Sequence, residues 1–130
     1  MQTLNKLIML SVVVSDMHKS KEFYSDKLGF KVATDYRQDD DNWWVGLAAL
    51  KGGAVITLAK VKGSKPGKVT LYFSTFDVVA AHKELEGKDV KVNDVKDDLF
   101  GPGSGVKFFN FEDPDGNLIH IAQAEKTPWA

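Results

Sequence analysis

The chain has 130 residues, no cysteine, and 17 Lys and Arg against 18 Asp and Glu, a formal net charge of −1. That length suits a single domain that buries roughly two thirds of the surface its unfolded form exposes. An apolar share of 43% and a charged share of 27% exclude intrinsic disorder and low-complexity scaffolds. Near-neutrality leaves no basic excess for nucleic acid, and the missing cysteine removes disulfides, thiolate nucleophiles and thiolate-zinc sites together.

The first element is the apolar stretch Leu7 to Val14, interrupted by Ser11. It lacks a small-residue cleavage site and is far shorter than the ~20 residues of a membrane span. We therefore read it as a buried strand, expect no membrane partner, and take the cytoplasm as the default location. Asp16 then caps a helix that carries Met17, Tyr24 and Leu28 on one face and stops at Gly29. Strands are expected at Phe30 to Arg37, Trp43 to Leu50 and, after the turn Lys51-Gly52-Gly53, Ala54 to Lys60. Val61 to Gly67 is the connector.

The second half repeats the order. A strand over Lys68 to Thr75 precedes a helix from Asp77 with Val78, Ala81 and Leu85 on one face and Gly87 as its stop. A strand over Val90 to Val95 leads to the Gly- and Pro-rich loop Lys96 to Gly105, where Phe100 could close as a lid. Strands Val106 to Glu112 and Leu118 to Ala122 flank Asp113-Pro114-Asp115-Gly116. Aligning Gly53 with Gly116 lays residues 54–60 on residues 117–123, apolar on apolar at most positions, and sets Thr57 opposite His120. The expected architecture is α+β. Two βαβββ repeats, about 4–62 and 67–124, combine within one domain over 1–130 as a curved mixed sheet with helices on its outer face.

The turn chemistry of Pro114-Asp115-Gly116 fits a three-residue hairpin loop, which pairs Asp113 with Asn117 and so Asn110 with His120. One face of that hairpin carries Phe109, Phe111, Ile119 and Ile121 and packs on a helix. The other carries Phe108, Asn110, Leu118 and His120. Thr57, Thr70 and Tyr72 fall on the same mixed face of their strands. Such a face is either solvated or, in a curved sheet, a ligand cavity.

Three stretches carry a family resemblance: Val14-Ser15-Asp16-Met17 leading to Ser20 and Phe23-Tyr24, then Leu28-Gly29-Phe30, and the late Phe111-Glu112-Asp113-Pro114-Asp115-Gly116-Asn117. With both repeats present, the chain resembles the vicinal oxygen chelate superfamily of glyoxalases, bleomycin-resistance proteins and extradiol dioxygenases. Metal-using relatives bind a divalent ion through His and Glu at positions that look like Met9, Thr57, Thr70 and His120 here. Only His120 is a competent ligand, and sliding the alignment by two residues adds no His, Asp or Glu. The resemblance therefore implies a binding protein without metal or other cofactor, with His120 a ligand only if a metal is present. A divalent-metal-dependent lyase, dioxygenase or transferase is the alternative.

The expected cavity lining is Trp43, Val45, Leu47, Tyr72, Phe108, Asn110 and His120, together with Met9, Thr57 and Thr70. Trp44 replaces Trp43 if the third strand sits in the other register. Aromatic rings stack on flat ligands, and Asn110, Tyr72 and His120 orient polar groups. His120 could equally be a structural histidine. Relatives of this size usually pair, so a homodimer is expected.

Overall fold

The computed structural model describes residues 2–51 and 53–128, so Gly52 in the expected turn Lys51-Gly52-Gly53 lies outside the described residues. The chain divides into two compact units, Met1–Gly67 and Lys68–Ala130. The boundary falls at the end of the Gly- and Pro-containing connector, where a turn-rich composition cannot extend a ladder.

In the first unit, β1 (Met9–Val13) leads into α1 (Met17–Glu22), which continues as a π-helical turn over Phe23–Lys27. β2 (Val32–Asp39), β3 (Asn42–Leu47) and β4 (Val55–Lys60) complete the unit. The sheet order is β1-β4-β3-β2, with β1 parallel to β4 and the other pairs antiparallel. Asp16 caps α1 as expected, its Oδ1 accepting the Lys19 N–H at 3.2 Å. Gly29, at φ 83°, reverses the chain so that the Phe30 N–H reaches the Tyr24 carbonyl at 3.0 Å. Ile8, expected in the core, is 70% exposed, just ahead of β1.

The second unit holds β5 (Thr70–Ser74), α2 (Val78–Gly87), β6 (Phe108–Glu112) and β7 (Leu118–Ala122) in the sheet order β5-β7-β6. β5 is parallel to β7, as β1 is to β4, so the second unit repeats the β1-β4-β3 arrangement of the first without a counterpart to β2. The architecture is mixed α+β, as expected, with the strands shared between a four-stranded and a three-stranded sheet. The hairpin also has the expected register: Asn110 pairs with His120, and Gly116 takes φ 81° while its N–H donates to the Asp113 carbonyl at 3.0 Å. Phe109, Phe111 and Ile119 are fully buried on the helix side, where His82 of α2 meets Phe109 edge-on at 5.0 Å.

Two local expectations need correction. Gly87 is not the left-handed stop of α2 but its last helical residue; Asp89 takes φ 62°. The Val90 N–H then bonds the Leu85 carbonyl and the Asp89 N–H bonds that of Glu86, a Schellman closure with Leu85 and Val90 both buried. The apolar pair decides where the chain turns, and Asp tolerates the left-handed conformation better than most side chains. The strand expected over Val90 to Val95 is absent as well. Its segment meets β6 only where the Asn93 N–H donates to the Asn110 carbonyl and where Lys96 and Phe108 exchange two bonds. Three steps, from 93 to 96, thus face two steps, from 110 to 108, and the extra residue is a bulge that breaks the ladder.

Candidate functional site

The helix-free face of the second unit gathers five of the expected residues. Register places Thr70 and Tyr72 of β5, His120 of β7, and Phe108 and Asn110 of β6 on this one face. The His120 and Tyr72 rings stack at 4.6 Å with planes 12° apart, and Phe108 tilts against the same imidazole at 5.6 Å. These two rings cover His120, which is 8% exposed although no helix lies on this side, while Tyr72 is 58% exposed. His120 Nδ1 is buried with no hydrogen-bond partner among the described residues. Burial holds the imidazole below its ordinary pKa, so near neutral pH it is uncharged, an aromatic surface with acceptor capacity rather than a cation.

Beside this cluster lies a concavity of about 430 Å³ lined by Asn93, Asp94, Lys96, Phe108 and Asn110. Asn93, Asp94 and Lys96 were not among the candidates read from sequence. Asn93 and Lys96 bond β6 on either side of the bulge, and the Asn93 amide donates to Asn110 Oδ1 at 2.5 Å. The polar/apolar alternation of Val90, Lys91, Val92 and Asn93 already set Asn93 on the polar side, and that signal could have found it.

In the first unit the helix-free face carries Met9, Thr57, Trp44 and Tyr36, with Thr57 donating to the Met9 sulfur at 3.2 Å and Trp44 tilted on Tyr36 at 5.8 Å. Gly46 shares this face because the Thr34 hydroxyl lies 2.5 Å from where a Cβ would stand. Trp43, Val45 and Leu47 do not line this face. Val45 pairs with Leu58 and Trp43 with Lys60, which turns all three to the helix side, where His18 of α1 meets Trp43 edge-on at 4.8 Å. Trp44 takes the place expected for Trp43.

Trp43 instead anchors a polar brace. Its Nε1–H donates to Asp35 Oδ1 at 2.6 Å, Lys21 pairs with the other oxygen of that carboxylate at 2.5 Å, and Arg37 stacks over the indole at 4.3 Å. Bonds from Lys21 and Trp43 hold the Asp35 carboxyl below its usual range. Arg37 also pairs with Asp40, and Asp39 accepts from the Asp41 N–H and the Asn42 amide, so the acidic hairpin is tied to its own neighbours. Of the groups around this roughly 550 Å³ hollow, Lys21, Asp35 and Trp43 are tied to one another.

The positions aligned with metal ligands in the superfamily do not fit a divalent ion. Met9 and Thr57 supply a thioether and a hydroxyl bonded to each other, Thr70 a hydroxyl, and His120 one imidazole whose Nδ1 is shut off from access. Oxygen- or nitrogen-rich sites for catalytic ions normally use about three protein ligands. Among the described residues, no three His, Cys, Asp or Glu side chains converge. No helix among them is long and apolar enough to cross a membrane.

Comparison with known proteins agrees with the topology. The chain is 32% identical over 120 residues to the uncharacterised Escherichia coli K12 protein YaeR, covering 86% of this chain and 91% of that one. The crystal structure of TnmS3, an antibiotic binding protein from Streptomyces sp. CB03234, superimposes with a TM-score of 0.71 at 30% identity, covering 92% of this chain and 95% of that one. A superfamily member from Sphaerobacter thermophilus DSM 20745 superimposes with a TM-score of 0.68 at 25% identity, covering 92% and 97%. The family profile matches residues 6–121, both repeats included, and the chain belongs to the Glyoxalase/Bleomycin resistance protein/Dioxygenase superfamily.

Proposed function

We propose that this chain is a metal-independent small-molecule-binding protein that holds a flat aromatic or polar ligand against the helix-free face of its second unit. The observation that carries the reading is the grouping of Tyr72, Phe108, His120 and Asn110 on that face, next to the Asn93-lined concavity. Aromatic walls with a few oriented polar groups are the usual composition of small-molecule sites, and 430 Å³ falls within the common range for them. The half-exposed Tyr72 ring offers a stacking surface, and the neutral imidazole beneath it polarises that ring without adding charge. The antibiotic-binding activity named for TnmS3 supports a binding role of this kind.

We also propose that two copies associate. Leu7 and Ile8, each 70% exposed, adjoin β1, an edge strand of its four-stranded sheet, and edge strands are templates for pairing with another chain.

Metal analysis of protein purified without chelator tests the central claim. Substoichiometric Zn, Ni, Mn and Fe, together with a saturable thermal shift by aromatic compounds that is lost in Tyr72→Ala, is expected. Near-stoichiometric metal that disappears in His120→Ala would overturn it.

A further inference from the structure

The bulge between residues 93–96 and β6 does more than end a strand. In a regular antiparallel ladder, residue 94 would stand opposite Asn110 once Lys96 is paired with Phe108; the bulge moves Asn93 into that place. Its backbone N–H bonds the Asn110 carbonyl at 2.9 Å, and its side-chain amide bonds the Asn110 amide at 2.5 Å. Two carboxamides joined by one hydrogen bond keep unused capacity on either side of it. Asn93 retains its carbonyl oxygen and one amide hydrogen, Asn110 retains both amide hydrogens, and neither group has another partner among the described residues. Exchanging the donor and acceptor of the shared bond leaves the same complement, one open carbonyl and one open NH₂.

From this geometry we infer that the concavity recognises the edge of a cyclic amide, a planar, uncharged ring in which N–H and C=O are adjacent, as in a lactam or imide. This rests on the binding reading above and names the chemistry of its ligand. An amide edge complements an open carbonyl and an open NH₂ that line one concavity: ligand N–H donates to Asn93 Oδ1 and ligand C=O accepts from Asn110 Nδ2. Phe108, which lines the same concavity, supplies an apolar wall for the ring. Asp94 and Lys96 at the rim carry opposite charges, so the site as a whole favours neither an anion nor a cation. A ligand edge that offers two acceptors leaves the open carbonyl unpaired on burial, one that offers none leaves the open NH₂ unpaired, and each is disfavoured for that reason.

The test uses the full chain and two probes with one ring system, isoquinolin-1(2H)-one and its N-methyl derivative, titrated while the side-chain amide resonances are followed by ¹H–¹⁵N NMR. The lactam is expected to shift the Asn93 and Asn110 NH₂ signals and to bind about tenfold more tightly than the N-methyl compound, the scale of one or two lost hydrogen bonds. Asn93→Ala, at an exposed position, should abolish that preference, whereas Asn110→Asp, which replaces the donor to the carbonyl that both probes share by an acceptor, should weaken both probes. Equal binding of the two probes by the unaltered protein, or a preference that survives Asn93→Ala, would overturn the inference and leave aromatic binding standing. No saturable binding of either probe would overturn both.

Discussion

His120 and Tyr72 lie face to face on adjacent parallel strands, ring centroids 4.6 Å apart, and the tyrosine covers an imidazole whose Nδ1 has no hydrogen-bond partner among the described residues. An unpaired buried nitrogen of this kind costs about 1–3 kcal/mol, a cost the fold carries in return for a neutral aromatic base beneath an exposed ring. His120→Phe keeps the stack and removes the orphaned nitrogen. It is expected to leave the melting temperature unchanged or raise it, whereas His120→Ala loses the stack and lowers stability by roughly 1–3 kcal/mol. Thermal unfolding of the two variants checks this; a large loss in His120→Phe would show that the nitrogen has a partner in solution.

The depressed His120 pKa also predicts a pH dependence. The unfolded imidazole takes up its proton near its ordinary value while the folded one resists, so the unfolded state binds more protons as pH falls. Stability attributable to this group is therefore complete above about pH 6.5 and declines on acidification below it. Chemical unfolding at pH 7.5 and pH 5.5 should show a larger loss for the unaltered protein than for His120→Gln. Identical losses would contradict it.

Asn117 ties the second unit together. Fully buried, it donates through Nδ2 to Asp113 Oδ2 at 2.8 Å and accepts the Val69 N–H at 2.9 Å. Asn117→Ala takes one bond from the Asp113 carboxylate, whose Oδ1 still accepts from the Asp115 and residue-117 N–H groups, and strands the Val69 N–H, with an expected loss of roughly 1–3 kcal/mol by denaturant titration. A loss under about 1 kcal/mol would mean that water replaces both bonds.

Asp35 braces the first unit away from the open face. Asp35→Ala removes the acceptor of the Trp43 indole N–H and the partner of Lys21. With the ion pair partly exposed, the expected cost is modest, about 1–2 kcal/mol, with a changed tryptophan emission and no change in ligand binding by the second unit. Lost binding would place this brace in the functional machinery.

If two copies associate through the exposed apolar surface near β1, light scattering should report twice the 14.4 kDa chain mass at micromolar concentration, and Ile8→Lys should shift it toward monomer. A monomer mass across that range would refute the association.

The amino-acid sequence by itself determined the features whose signals are local. Asp16 and Asp77 cap their helices because a carboxylate reaches the N–H three residues ahead, at 3.2 and 3.0 Å, whatever the rest of the chain does. The β6–β7 register was legible because a three-residue loop with Gly at its left-handed position leaves one way to close. That closure set Asn110 opposite His120, and Tyr72, Phe108 and His120 on one face.

Tertiary structure decided the rest. Trp43 and Trp44 differ by one step, and one step inverts the face; the longer connection from β3 to β4 carries no turn signal strong enough to choose. The choice follows from pairing Val45 with Leu58 and seating Trp43 against His18, both non-local contacts. The same holds for Asn93. Its polar side of the chain was readable, but the bulge that brings it to Asn110 arises only when segment 91–96 is laid against β6. It was decided likewise for α2, where the burial of Leu85 and Val90 carried the left-handed turn past Gly87 to Asp89. Hydrogen bonds within a turn are specified by neighbours in sequence, whereas the face a strand presents is specified by whichever strand comes to lie beside it.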